Sequence, residues 1–160
     1  MPEEQRRHRA IAMSPTEVDA FLREQPVCRV ATTSAGGPHL SPLWFVWDGE
    51  AVWLYSLTRS QRWTDVTRDP AVAVLVDAGV EYLELRGVEL RGTAELVGEV
   101  PRTGTPDDRL AGPERLFADK YAGGAAMPHD GKHAWLRVTP RKVTSWDFRK
   151  LAGLGADAGR

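Results

Sequence analysis

The 160-residue chain holds a single cysteine, Cys28. One thiol excludes an internal disulfide and a cysteine-rich zinc site. Its neighbours Val27, Arg29 and Val30 read as strand, so the sulfur is expected to be buried and structural. Long apolar runs are also missing. The longest, Ala71 to Val76, falls far short of the roughly 20 residues that span a bilayer. Behind the charged start Met1-Pro2-Glu3-Glu4-Gln5-Arg6-Arg7 there is no hydrophobic segment of the kind a secretory signal requires. A cytoplasmic protein with no membrane partner is therefore expected. An excess of positive charge is absent too. The net charge is −1, which argues against a nucleic-acid binder that works by bulk charge.

Familiar catalytic sequences are likewise missing. The chain has no Gly-x-Ser-x-Gly elbow, no phosphate-binding Walker loop, no Gly-x-Gly-x-x-Gly after a strand and no His-Glu-x-x-His. The histidines His8, His39, His129 and His133 lack metal-ligand spacing. Pro128 and Gly131 argue against a helix that would align His129 with His133. No metal site and no catalytic residue is assigned.

What is present is an ordinary globular composition, 42% apolar, enough for one domain with a real core. Residues 1–13 are polar and basic and are expected to form a flexible arm. The Gly/Ala-rich residues 152–160 are expected to form a mobile tail. Between them, 14–151 read as a single folded unit. Ser14-Pro15-Thr16-Glu17 opens a helix with a capping box, Val18, Phe21 and Leu22 give it an apolar face, and Pro26 closes it. Strands are expected over 27–33, 38–47 and 51–57, with Asp48-Gly49 as a hairpin signal. A short helix over 61–68 stops at Asp69-Pro70. Ala71 to Val76, apolar throughout, predicts a central strand buried on both faces.

From Glu81 to Val97 the alternation changes phase at Gly87, which predicts a β-bulge in a long bent strand. A Gly/Pro/Asp-rich loop over 98–112 precedes a helix from Pro113 to Tyr121. Strands 133–139 and 142–148 follow, split by Pro140-Arg141. Short strands at regular spacing with few helices predict a mainly β, antiparallel barrel or sandwich. Small barrels place ligands at their mouths or at subunit interfaces.

The segment Ser56-Leu57-Thr58-Arg59-Ser60-Gln61-Arg62 stands apart. It ends a strand, opens a helix, and offers two guanidinium groups, hydroxyls, an amide and unpaired helix N–H groups. That set suits a phosphate. It equally suits a solvated helix start capped by Ser60. The six tryptophans, Trp44, Trp47, Trp53, Trp63, Trp135 and Trp146, fill a core and an interface or wall a flat aromatic ligand. Trp63, beside Arg62 on a polar helix, is assigned to a site rim or an interface.

The run "PHLSPLWFVWDGEAVWLYSLTRSQRWTDVTRDPAVAVLVD" resembles the pyridoxamine 5′-phosphate oxidase-like superfamily. "YLELRGVELRGTAEL", "RLFADKY" and "RVTPRKVTSWDFRKL" resemble its branch that uses the deazaflavin coenzyme F420. The resemblance covers roughly residues 14–151. It implies a homodimeric split β-barrel with a few short helices and a cofactor at the subunit interface. By position, Arg59, Ser60, Gln61 and Arg62 would hold the cofactor phosphate. Ser56, Leu57 and Thr58 would line its ring or ribityl region. His39, Ser41 and Pro42 would approach the ring, and Trp146 would lie close by. Arg62 stands where the family commonly has Lys, and Asp65 where it has Asn. The implied activity is F420-dependent hydride transfer to a small organic acceptor. FMN is the alternative cofactor, and a non-catalytic binder of flavin, F420 or haem is the alternative function.

Overall fold

A computed structural model of the chain describes residues 2, 3, 5 and 8–157. Helix α1 (Pro15–Glu24) begins at the expected cap. The Glu17 N–H donates to Ser14 Oγ (3.2 Å) and the Ser14 N–H donates to the Glu17 carboxylate (2.7 Å). Such caps contribute about 0.5–2 kcal/mol. Phe21 and Leu22 enter the core. The chain continues through β1 (Val27–Ser34), β2 (Gly37–Trp44), β3 (Val46–Trp47), β4 (Val52–Leu57), α2 (Gln61–Arg68) and β5 (Ala71–Ala78). It ends through β6 (Arg86–Val97), α3 (Asp108–Tyr121), β7 (His133–Asp147) and α4 (Leu151–Asp157).

All pairings between these strands are antiparallel, and the strands form one sheet in the order β2-β1-β5-β6-β7-β4-β3. Strands β2 and β3 lie at opposite edges of that order, yet Phe45 alone separates them in the chain. Two Cα steps reach at most about 7.6 Å. The sheet therefore has to curl until its edges meet, which makes it an antiparallel barrel split along a seam between β2 and β4.

At the seam Phe45 leaves the ladder, and its buried backbone groups need other partners. Helix α3 supplies them. The Phe45 N–H donates to the Tyr121 hydroxyl (3.0 Å), which in turn donates to the carbonyl of Phe45 or of Pro26, each at 2.7 Å. Lys120 Nζ donates to the Phe45 carbonyl at 3.2 Å and lies 4.0 Å from the centre of the Phe45 ring. Desolvation there brings the Lys120 ammonium down to about 8.

Alternation on the strands sorts two cores. Val52 and Leu54 of β4 and Ala134, Leu136 and Val138 of β7 point into the barrel, with Val30, Val74, Val76, Val88 and Leu90. Trp53 and Trp135 point outward, where Leu110 and Phe117 of α3 cover them. Burying one such aliphatic side chain contributes roughly 1.5–3 kcal/mol.

Several expectations are corrected. The bulge is not at Gly87. Arg91 pairs with Lys142 but Gly92 with Pro140, so Arg141 on β7 is the extra residue, and 133–147 is one bent strand. Residues Tyr82–Glu84 before Gly87 form a 3-10 turn, so the phase change there marks the start of β6 at Arg86. Gly87 is needed because the Trp146 ring lies 2.4 Å from where a Cβ would stand. Strand β5 is central, but it buries Val72, Val74 and Val76 while Ala71 is exposed and Leu75 half-buried. Helix α3 starts at Asp108, capped by Asp107, and carries Pro113 inside it. Residues of the N-terminal arm reach β7 at three points, the first being the Glu3 N–H, which donates to the Arg141 carbonyl (2.7 Å). The Gln5 carboxamide pairs with both backbone groups of Ser145 (2.8 and 3.0 Å), and the Met13 N–H donates to Ser145 Oγ (2.9 Å). The expected tail is helical over Leu151–Asp157, and its last three positions lie outside the described residues.

The bulge fixes a testable contact. A Cβ at Gly92 would stand 2.0 Å from the Thr139 carbonyl oxygen, whereas one at Gly36 meets nothing within 4 Å. Gly92→Ala is expected to lower stability in urea by about 1–3 kcal/mol, and Gly36→Ala to change it by less than about 0.5 kcal/mol. Equal unfolding midpoints for the two variants would contradict the bulge geometry.

Candidate functional site

Helix α2 lies across the seam. Ser60 caps it, its Oγ accepting the Trp63 N–H at 3.1 Å. One side of the helix sends Trp63 and Val66 into the barrel core. Trp63 is only 6% exposed, which overturns its assignment to a rim or interface. A short helix against a curved sheet buries two of its sides, and the polar sequence around Trp63 masks this.

The second buried side carries Arg62 and Asp65. Arg62 is 7% exposed. Its Nε donates to Ser56 Oγ of β4 (3.2 Å) and its Nη1 to Ser41 Oγ of β2 (2.5 Å). The guanidinium thus bridges the two strands that flank the seam. Among the described residues it has no carboxylate partner, and burial lowers its pKa. A buried cation without a counter-charge is costly. Among the described residues its Nη2 makes no hydrogen bond, so a donor remains for an incoming acceptor.

Asp65 has no solvent exposure. Thr32 Oγ1 donates to its Oδ2 and Gln61 Nε2 to its Oδ1, both at 2.7 Å. The Thr32 hydrogen bond, chiefly, holds the carboxyl below its usual range. His39 stands on β2 with its Nδ1 4.0 Å from Asp65 Oδ2. Ser41 follows at i+2 and shares the inward face of the strand.

Arg59 goes elsewhere. Although it lies at i−3 from Arg62, it is exposed and lines a cavity of about 570 Å³ with Leu57, Thr58, Ser60, Pro101, Gly131 and Lys132. Lys132 was not visible as a site residue from sequence, because 74 residues separate it from Thr58. The Thr58 N–H and Oγ1 donate to the Lys132 carbonyl (3.0 and 3.1 Å) and bring it there. The Pro101 wall is held by Arg102, which is 3% exposed and donates to Glu99 (2.6 Å), Glu114 (2.7 Å) and the Thr105 carbonyl (2.5 Å).

The structure thus brings His39, Ser41, Ser56, Gln61 and Arg62 into one inner cluster and Leu57, Thr58, Arg59 and Ser60 around an outer cavity. Two of the expected residues fall outside both. Pro42 lies on the exposed face of β2 with Leu40 and Trp44. Trp146 sits opposite Gly87 at the far end of β7 from His133, which pairs with Leu57. Trp44 is half-exposed and stacks on Tyr121 at 4.4 Å. A larger, mainly apolar cavity of about 980 Å³ between the arm, α1 and β7 contains none of the expected site residues. Among the described residues no group of three or more metal-binding side chains occurs, and no helix is long and apolar enough to cross a membrane.

Residues 14–147 match the family described as pyridoxamine 5′-phosphate oxidase, and the chain belongs to it. No curated protein matches the chain. Among solved structures, the conserved hypothetical protein Rv2991 of Mycobacterium tuberculosis is 30% identical with a TM-score of 0.77, covering 94% of this chain and 93% of that one. A structure named F420 reductase is 26% identical with a TM-score of 0.57, covering 78% and 94% of the two chains. The FAD-binding protein of Mycobacterium smegmatis is 21% identical, with a TM-score of 0.60 and coverage of 84% and 95%. It shares the fold.

If Arg62 serves a ligand rather than the fold, replacing it by an apolar side chain of similar length should cost the unliganded protein nothing. Arg62→Met is expected to keep or raise the thermal midpoint. A fall of several degrees in the unliganded variant would make Arg62 a structural brace instead.

Proposed function

We propose that the chain is an oxidoreductase that binds coenzyme F420 in the seam and transfers hydride to a small organic acceptor. The observation that carries this is the buried Arg62 guanidinium, held by two serine hydroxyls, lacking a counter-charge and keeping one donor available. The outer cavity adds Arg59 and Lys132. Two cationic stations suit a ligand with more than one anionic or strongly accepting group. The outer one fits the phosphate and the anionic tail beyond it. The inner one fits the polar edge of the ring system. The 26% identity to a structure named F420 reductase favours F420 over FMN.

The cofactor, when bound, supplies the hydride chemistry. The chain has three tasks. Arg59, Lys132, Thr58 and Ser60 bind the phosphate region. Arg62, with Ser41 and Ser56, orients the ring. Leu40, Trp44 and Leu57, once covered by a second copy, exclude water. None of these needs a dedicated acid or base, in keeping with the absence of a catalytic sequence motif.

The exposed face of β2 carries Leu40 and Trp44, 66% and 51% exposed, flanking Pro42, and Leu57 is 44% exposed. An apolar face of this kind marks an interaction surface. In this reading a second copy covers it and closes the site as a homodimer.

Titrating the purified protein with F420 and FMN, followed by tryptophan fluorescence, tests the proposal. F420 is expected to bind at least tenfold more tightly. Arg59→Ala and Lys132→Ala are each expected to weaken binding about ten- to a hundredfold, from the roughly 1.5–3 kcal/mol of a charge-assisted hydrogen bond, with weaker binding at high salt. Sedimentation is expected to give twice the chain mass. Turnover of reduced F420 with a panel of enones and quinones separates an enzyme from a carrier. Tighter binding of FMN, or unchanged affinity in both variants, refutes the assignment.

A further inference from the structure

Building on the proposed cofactor site, we propose that Asp65 is a positioning residue. It orients His39 through Nδ1 so that the imidazolium joins Arg62 in holding the ligand, and binding is coupled to uptake of one proton by His39.

Three observations converge on this pair. His39 Nδ1 is buried and has no hydrogen-bond partner among the described residues, which is costly for a polar nitrogen. It lies 4.0 Å from Asp65 Oδ2, so a shift of about 1 Å closes a hydrogen bond. Asp65 is a fully buried carboxylate whose hydrogen bonds come from the neutral Thr32 and Gln61. With Nδ1 buried, a third of the His39 side chain is still exposed, so the ring turns its far edge outward. Ser41, the Arg62 partner, is its neighbour on the same strand face. His39 thus stands between a buried anion and the mouth of the inner cluster.

The groups around it set the direction of the effect. Helix α2 contributes Arg62 and Asp65, with Arg68 acting on Asp65 from further away. Thr32, which pairs with His39 across β1 and β2, and Ser41 and Ser56, which hold Arg62, are uncharged. A histidine in water is mostly neutral at pH 7.5. Placed between the ionised Asp65 and an acceptor atom of the ring edge held by Arg62, the imidazolium donates from both nitrogens, so it is favoured and the ring gains a proton. Ligand binding supplies that second acceptor.

Calorimetric titration of the full chain with F420 and with FMN, at pH 7.5 in HEPES and in Tris, reads the protons taken up from the buffer dependence of the heat. Wild type is expected to take up more protons than His39→Gln with the same ligand, and Asp65→Asn to match His39→Gln. Both variants are expected to bind severalfold more weakly. Equal proton uptake in wild type and His39→Gln overturns the proposal. Full uptake retained in Asp65→Asn overturns the role of Asp65. Should Asp65→Asn not fold, the ¹⁵N shifts of His39 in the wild-type complex decide: both ring nitrogens protonated supports the pair, and a neutral ring contradicts it. Failure of both cofactors to bind wild type at all removes the cofactor site itself, an outcome distinct from binding without a His39 proton.

Discussion

Arg62 stands between two strands that do not hydrogen-bond to each other, and the arrangement around it follows from that. Strand β2 ends one edge of the sheet and β4 lies one strand in from the other. The single-residue link at Phe45 forces the edges together, but β3 is two residues long and pairs with β4 only at Val52 and Trp53. Beyond that point the barrel wall is open. Ser41 faces the opening from one side and Ser56 from the other, and the guanidinium spans the gap. A continuous barrel would have no room for a buried cation here.

Both halves of the barrel are braced so that this opening keeps its shape. On the outside, Tyr121 and Lys120 tie the Phe45 backbone to α3. On the other side of the seam, Trp63 and Val66 anchor α2 in the core, which leaves Arg62 and Asp65 little freedom. These two opposite charges lie three residues apart on one helix and are buried together, yet each is satisfied by neutral hydroxyls and an amide. Such separated buried charges cost stability. Strain of that kind is the common signature of a site shaped for something other than folding.

Elements governed by local rules were legible in the chain. The Ser14-Glu17 box, the α2 limits at Ser60 and Asp69-Pro70, and the alternating strands follow from capping, proline chemistry and period-2 burial. Features set by distant partners were not. Gly87 reads as a bulge in one dimension, but its reason is the Trp146 ring across the strand pair. The true bulge at Arg141 appears only once β6 and β7 are in register. The site was half legible. The basic segment after β4 pointed to the candidate place, and the resemblance to the oxidase family implied a use for it. Spacing alone put Arg59 and Arg62 together, whereas the seam draws Arg62 inward and leaves Arg59 outside with Lys132. Pro42 was placed with Ser41, although adjacent strand residues face opposite ways.

The central claim is that the seam is a ligand site with an inner and an outer cationic station. A crystal structure of the full chain with F420 tests it most directly. The account predicts the phosphate within hydrogen-bond distance of Arg59 and Lys132, and an acceptor atom of the ring system on Arg62. Ligand bound in the apolar cavity beneath the N-terminal arm, with Arg62 contacting nothing but Ser41 and Ser56, would contradict it.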